Sequence, residues 1–118
     1  MENNSTDEIV GLVSNPPTIV RRRNTTIMGE PFEEHIISEV WQKAKKEFGL
    51  FFYRRDMYGD IIARHEFGMQ NKYGWEIDHI LPVVLGGTDD IENLQPLHWK
   101  NNQTKNGLLP NEKELTRI

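Results

Sequence analysis

Apolar residues recur every three or four positions between residues 31 and 48, which is the spacing of one face of an amphipathic helix. Pro31 suits the first turn of a helix, because the amide hydrogen it lacks would be unpaired there, and Gly49 can end the helix. The pattern therefore predicts one helix over residues 31–48. Its apolar face would consist of Ile36, Ile37, Val40, Trp41, Ala44 and Phe48.

Aromatic and charged residues alternate in residues 50–75, where "LFFYRR" and "DIIARHEF" flank a turn signal at residues 56–59. This arrangement favours a ribbon of two antiparallel strands. Arg54 and Arg55 lie beside Tyr53 in the first strand, and basic groups interleaved with aromatic ones can follow a nucleic-acid backbone. The two arginines are therefore candidate substrate contacts, although a plain hairpin packed on the helix explains the pattern equally well.

A third pattern occupies residues 75–107 and predicts a strand, a loop, a second strand and a short helix. Residues 75–80 alternate as a strand does, and Pro82 with the Gly86-Gly87 pair then requires a loop. Residues 93–97 can pair back onto the first strand, and residues 98–107 favour a helix ending at a glycine. Within that helix, the spacing places His98, Asn102 and Lys105 on one face.

The two ends of the chain show neither the helical spacing nor the strand-like alternation of apolar residues. We interpret residues 1–30 as a flexible or loosely docked arm, in which the basic run at residues 21–23 is more simply a solvated tail than a nucleic-acid contact. The predicted folded domain covers residues 31–110, with its core segment at residues 75–107, and residues 111–118 form a tail.

Composition narrows the chemistry. The 118 residues include no cysteine, which excludes disulfides, thiolate zinc sites and cysteine nucleophiles, so a bound metal must use oxygen and imidazole ligands. The net charge of −4 argues mildly against a generic nucleic-acid binder. Neither a membrane-spanning run nor a signal peptide is apparent, so we expect a soluble cytoplasmic protein without a membrane partner.

The core segment offers a candidate for each requirement of phosphodiester hydrolysis: a base for the attacking water, ligands for a cation that neutralises charge on the phosphate, and a donor near the leaving oxygen. Imidazole accepts a proton near neutral pH, which makes His79 the candidate base. Asp78 and Asn102 offer the oxygen ligands that Mg²⁺ prefers, and Lys105 can contact a phosphate. Each residue alone has an ordinary structural explanation, but their combination favours catalysis.

The run "DHILPVVLGGTDDIENLQPL" followed by "NNQTK" resembles the HNH endonuclease motif. Upstream, "YRRDMYGDIIARHEFG" and "YGWEIDH" resemble the leader of small stand-alone bacterial HNH proteins. The resemblance implies an α+β fold, a ββα-metal finger with an upstream helix and a β-ribbon, holding one divalent ion. It further implies that Asp78 and Asn102 bind the metal, that His79 activates water, and that Asn93 holds the loop and orients His79 through a hydrogen bond.

Two departures from the family pattern affect the metal. Many relatives carry a Cys-x-x-Cys pair for structural zinc where this chain has His98 and Asn101, so we predict no such zinc. The last motif residue is Asn102 rather than histidine, which favours Mg²⁺, or Mn²⁺, over zinc. The role of His98 stays open between a third metal ligand, a phosphate contact and a structural cap.

The sequence therefore predicts a single-metal endonuclease acting on DNA, and duplex DNA is the expected substrate. Two alternatives remain: a non-cleaving nucleic-acid-binding module of a larger assembly, and a nuclease directed at RNA. One active site cuts one strand, so double-strand cleavage would require a dimer or a second event. The sequence leaves the oligomeric state open.

Overall fold

A computed structural model describes residues 21–47 and 49–107, and this part of the chain contains two helices and two antiparallel sheets, which confirms the α+β class. Three 3₁₀ turns, Arg64–Glu66, Val83–Leu85 and Ile91–Asn93, connect the elements. The main elements in order are α1 (Glu34–Trp41), β1 (Lys45–Lys46), β2 (Tyr53–Arg55), β3 (Ile61–Ala63), β4 (Trp75–His79), β5 (Leu94–His98) and α2 (Trp99–Gly107).

The first helix is shorter than its apolar pattern predicts, and the expectation of a helix beyond Trp41 is wrong. The chain turns after Trp41, and Lys45 and Lys46 pair with Arg55 and Arg54 of β2. This strand pairing, which joins residues about ten positions apart, overrides the helical preference of the sequence. Ala44 is still buried after the turn, whereas residue 48 of the predicted face lies outside the described residues.

The predicted ribbon is present and has a third strand. β1, β2 and β3 lie side by side in that order, and Tyr53 pairs with Ala63 while Arg55 pairs with Ile61. The turn between β2 and β3 is closed by Asp56, whose Oδ1 accepts hydrogen bonds of 3.0 Å from the backbone N–H groups of Tyr58 and Asp60.

Strands β4 and β5 form the predicted hairpin, in a register that pairs Trp75 with His98 and His79 with Leu94. Pro96 faces Ile77 in this ladder, although proline has no amide hydrogen to donate. The two residues form a non-hydrogen-bonded pair, in which both backbone nitrogens point away from the partner strand, so Pro96 is not required to donate to β4. The Ile77 N–H accordingly donates to Asn24 Oδ1 at 2.7 Å.

The hydrophobic core lies between α1, the ribbon and one face of the hairpin. Trp75 is fully buried at its centre, with ring centroids 5.3 Å from Trp41 and 4.9 Å from Phe67. The other face of the hairpin receives α2. Within residues 21–47 and 49–107, neither helix has the length and apolar character needed to cross a bilayer. The core cluster comprises Phe32, Ile37, Val40, Trp41, Ala44, Ile62, Trp75, Ile77 and Leu94.

Candidate active site

Strand β4 separates two sets of side chains, because successive residues of a strand point to opposite faces. Trp75 and Ile77 point into the apolar core, whereas Glu76 and Asp78 share the face covered by α2. His79 closes the strand beside the loop that leads to β5. The strand therefore brings a carboxylate pair and an imidazole to the same end of the hairpin.

Asp78 is the centre of the charged face and is 4 % exposed. Gln95 donates to its Oδ2 at 2.9 Å, and the Lys105 ammonium lies 3.1 Å from Oδ2 and 3.2 Å from Oδ1. Lys105 also donates to the backbone carbonyl of His79 at 3.0 Å. Burial raises the pKa of Asp78 above its ordinary value, and the contacts with Gln95 and Lys105 oppose that shift. The predicted ligand thus sits beside a cation supplied by the protein itself.

Asn102 lies one helical turn before Lys105 on α2 and is 1 % exposed. Its amide donates to Glu76 Oε1 at 2.8 Å, and the guanidinium of Arg23 donates to the same oxygen at 3.3 Å. The carbonyl oxygen of Asn102 accepts a hydrogen bond from Asn106 at 3.3 Å. The structure thus places Asn102 beside Glu76, two strand positions from Asp78.

Glu76 received no role in the sequence analysis, although a signal for it was present. It stands two residues before Asp78, so the alternation of a strand puts both carboxylates on the same face. Arg23 carried no comparable signal, because the contact with Glu76 joins residues 53 positions apart.

The imidazole of His79 is 4 % exposed and packs near Phe32, with ring centroids 6.0 Å apart. Its Nε2 lies 2.8 Å from Oδ1 of Asp89, a residue of the loop between β4 and β5. Ile27 donates its backbone N–H to the same carboxylate, at 3.2 Å from Oδ1 and 3.1 Å from Oδ2. Asp89 was not singled out from the sequence, where it is one of two adjacent aspartates in a loop.

Asn93 makes three side-chain hydrogen bonds to backbone groups of the loop. Its Oδ1 accepts the Leu81 N–H at 2.8 Å, and its Nδ2 donates to the carbonyls of Leu81 and Thr88 at 3.1 and 2.8 Å. Gly87 completes this contact, because a Cβ there would lie 1.7 Å from the Leu81 carbonyl oxygen. Among the described residues, the side-chain hydrogen bond to His79 comes from Asp89 and not from Asn93.

His98 ends β5 rather than starting α2, so it does not share a helical face with Asn102. Its Nε2 donates to the Lys72 carbonyl at 2.8 Å, and its Nδ1 accepts the Lys100 N–H at 3.1 Å. Both ring nitrogens are therefore occupied by backbone groups. The fixed tautomer leaves neither nitrogen available to a metal ion or a phosphate in this conformation.

Asp56 of the ribbon joins this end of the hairpin to α2. Its Oδ2 accepts the His98 N–H at 2.9 Å and the Asn101 amide at 2.8 Å. The two positions at which many relatives carry cysteines for zinc therefore both donate hydrogen bonds to one carboxylate, which is 4 % exposed.

The two arginines predicted to contact substrate are engaged within the protein. Arg54 lies over the Trp41 ring, 5.5 Å from its centroid, and donates to the carbonyls of Trp41 and Gln42 at 3.4 and 3.3 Å. Arg55 pairs with Glu47 and donates to the Gly59 carbonyl at 2.7 Å. Their guanidinium groups close the end of α1 and the ribbon turn in this structure.

A small recess, with a cavity volume of about 10 Å³, opens beside the strand end. His79 and Asn102 both line it, which brings the predicted base and one predicted metal ligand to a common space. The remaining lining comes from Ile77, Pro82, Asn106 and the segment before α1, namely Arg21, Arg23 and Asn24. Part of the predicted N-terminal arm therefore forms a wall of the site.

The donor set fits a hard divalent cation. The part of the chain that the structure describes holds no cluster of three or more His, Asp or Glu side chains arranged for a metal. Asp78 and Asn102 instead offer a carboxylate and an amide oxygen from facing elements, and Mg²⁺ accepts few protein ligands because it retains several waters. The ammonium of Lys105 on Asp78 shows that this carboxylate already attracts positive charge.

The segment that forms this site matches a known protein family. Residues 63–107 match the family model described as HNH endonuclease. This segment belongs to the HNH endonuclease family. The match runs from the end of β3 to the end of α2, so it includes Asp78, His79, Asn93, Asn102 and Lys105. HNH nucleases use divalent metal ions, which agrees with the oxygen donors described above.

The HNH segment also resembles a curated protein, "Probable mobile endonuclease C" of Enterobacteria phage T4. The two are 45% identical over 40 residues, which is 34% of this chain and 19% of the phage protein. The chain therefore spans about a fifth of that relative's length. No solved structure matches the chain.

Proposed function

We propose that the chain is a metal-dependent endonuclease that hydrolyses phosphodiester bonds in DNA. The observation that carries this proposal is the convergence within the HNH segment of Asp78 and His79 at the end of β4 with Asn102 and Lys105 on α2. The resemblance to a phage protein named as a probable endonuclease supports the same activity.

Asp78 and Asn102 are the residues that would hold the divalent ion, and Mg²⁺ is the ion that a carboxylate and an amide oxygen favour. When bound, the ion would neutralise charge on the phosphate and on the leaving 3′ oxygen. Lys105 would then move its ammonium from Asp78 to a neighbouring phosphate, because a bound cation satisfies the carboxylate. Glu76 holds the Asn102 amide, which directs the Asn102 carbonyl oxygen away from that carboxylate.

His79 is the proposed general base. It lines the recess beside Asn102, so a water there can lose its proton to the imidazole as it attacks phosphorus in line. The proton moves to a ring nitrogen of His79, the P–O3′ bond breaks, and the leaving 3′ oxygen takes a proton from solvent, which gives 5′-phosphate and 3′-hydroxyl ends. Asn93 positions the loop around the base through its bonds to Leu81 and Thr88.

Duplex DNA is the proposed substrate, and the surface of β1 suits it. Lys45 and Lys46 are exposed, and within the described residues they make no hydrogen bond or ion pair through their side chains. Arg54 and Arg55 lie opposite them in the ribbon and hold its shape. We propose both as secondary DNA contacts, which would form after their guanidinium groups leave their present partners within the protein. His98 has a positioning role in this scheme, because its ring fastens residue 72 to the start of α2.

A plasmid-nicking assay tests the proposal. Supercoiled DNA is incubated with the protein and Mg²⁺ or Mn²⁺, with EDTA as the metal-free condition, and His79→Ala is compared with His65→Ala. His65 is exposed and has no place in the site, so it serves as the matched histidine control. We expect nicking by wild type and His65→Ala, and loss of about 10²–10⁴-fold in rate for His79→Ala.

The same assay distinguishes the alternatives. If wild type and His79→Ala leave DNA equally intact with every divalent ion but still retard it in a gel, the chain is a nucleic-acid-binding module. If RNA is digested and duplex DNA is not, the substrate assignment is wrong while the nuclease chemistry stands.

A further inference from the structure

The strongest unassigned contact near the site joins the imidazole of His79 to the carboxylate of Asp89. The two groups are 2.8 Å apart, and Asp89 belongs to the loop between β4 and β5. We propose that Asp89 is a positioning residue for the base, which fixes the tautomer and the orientation of the His79 ring. This inference rests on the proposed function, in which His79 takes a proton from water.

The chemistry of the two groups determines which nitrogen is free. An ionised carboxylate has no hydrogen to donate, so Nε2 must carry the hydrogen and donate it to Asp89. The neutral ring then has its lone pair on Nδ1. Within the described residues Nδ1 makes no hydrogen bond, and the His79 ring lines the recess beside Asn102 where the attacking water is proposed to lie. The base atom is therefore Nδ1.

The position of Asp89 is itself fixed from both sides. The carbonyl of Thr88, the preceding residue, accepts a hydrogen bond of 2.8 Å from Asn93, and the following residue, Asp90, starts the 3₁₀ turn that ends at Asn93. The Ile27 N–H occupies the carboxylate as well. Asn93 thus acts on His79 through Asp89, which explains how a loop-fastening asparagine can orient a base that it does not touch.

The charge of Asp89 adds a second effect. When Nδ1 takes a proton from water, the ring becomes a cation, and a carboxylate 2.8 Å away stabilises that cation. The proton that arrives at Nδ1 and the hydrogen on Nε2 are different atoms, so no proton needs to cross to Asp89. The Asp89 side chain is 34% exposed, so its removal leaves no large cavity.

The test compares wild type, Asp89→Ala and Asp89→Asn with Asp90→Ala, a change at the adjacent exposed aspartate. Turnover of a labelled duplex oligonucleotide is measured with Mg²⁺ or Mn²⁺, and long-range ¹H–¹⁵N spectra report which nitrogen of His79 carries hydrogen. We expect hydrogen on Nε2 in wild type, a mixture of tautomers in Asp89→Ala, and kcat lowered about 10–100-fold with KM changed less than about twofold. Asp90→Ala should match wild type.

Two results would overturn the inference: an Asp89→Ala kcat within about twofold of wild type, or a wild-type ring with its hydrogen on Nδ1. Should Asp89→Ala fail to fold, Asp89→Asn preserves the shape and an acceptor for Ile27, and the loss of the negative charge alone must still lower kcat. If wild type cleaves no DNA at all, the proposed function fails, whereas the tautomer measured in that same protein still tests the contact with Asp89.

Discussion

The two faces of β4, a strand of only five residues, differ sharply in polarity. The face toward α1 buries Trp75 and Ile77 in an apolar core, and the face toward α2 buries Glu76 and Asp78 among Asn102, Lys105 and Arg23. Apolar burial stabilises the fold, whereas burial of carboxylates costs free energy that their partners only partly recover. One face therefore provides the stability that lets the other hold charged groups in a fixed arrangement.

Removing the largest side chain of the apolar face should destabilise the fold. Trp75→Ala deletes a fully buried ring at the centre of the core, and we expect the free energy of unfolding to fall by about 3–5 kcal/mol. Urea denaturation measures the effect, with Phe51→Ala as a control because Phe51 is 89% exposed. Equal losses for the two variants would contradict the central place of Trp75.

On the charged face, Asn102→Ala should lower the metal-dependent activity. The change removes one proposed metal ligand, and we expect the metal-dependent cleavage rate to fall by about 100-fold and to need more Mg²⁺ for half-saturation. Gln103→Ala changes an exposed neighbour on the same helix and should leave both quantities unaltered. A wild-type metal requirement in Asn102→Ala would remove this residue from the proposed site.

The loop between β4 and β5 should be destabilised by a single added methyl group. Gly87→Ala forces a Cβ against the Leu81 carbonyl oxygen and the Asn93 amide, so we expect a loss of about 1–3 kcal/mol in stability together with lower activity. Gly86→Ala is the matched control, because that residue has a φ of 99° but open space around it, and it should cost about 1 kcal/mol through backbone strain alone. A smaller effect at Gly87 than at Gly86 would argue against the close approach.

The smallest expected effect is a pH dependence that only the charged face possesses. Because burial raises the pKa of Asp78 above 3.8, this residue favours folding below its unfolded-state pKa, and the contribution disappears as pH rises through the folded-state pKa. Wild type should therefore lose stability relative to Asp78→Asn over that interval. Urea denaturation in EDTA from about pH 3 to pH 7 measures the difference, and a difference that grows in favour of wild type would reverse the sign.

The hairpin and the last helix could be predicted from the sequence because their signals are local. The alternation in β4, the Gly86-Gly87 pair and the final Gly107 each act within a few residues, and the observed strand and helix ends differ from the predicted ones by about one residue. The end of α1 was wrong because β1 pairs with β2, and that pairing depends on a partner strand that helical spacing does not reveal.

The candidate site likewise contains residues that the sequence could suggest and partners that it could not. Motif residues such as Asp78, His79 and Asn102 could be proposed because the chain resembles the HNH motif at those positions. Their partners Arg23 and Asp89 could not be named, because a hydrogen bond between distant residues leaves no periodic pattern in the chain. Glu76 was predictable in principle, since it repeats the position of Asp78 two residues earlier.

The Asp56 carboxylate has a consequence for how the molecule opens. It closes the β2–β3 turn and also accepts the His98 N–H at the end of β5 and the Asn101 side-chain amide on α2, so neither region can detach without releasing the other. The ribbon and α2 should therefore behave as one cooperative unit in native-state hydrogen exchange, with the amide of His98 exchanging at the same rate-limiting opening as the amide of Asp60.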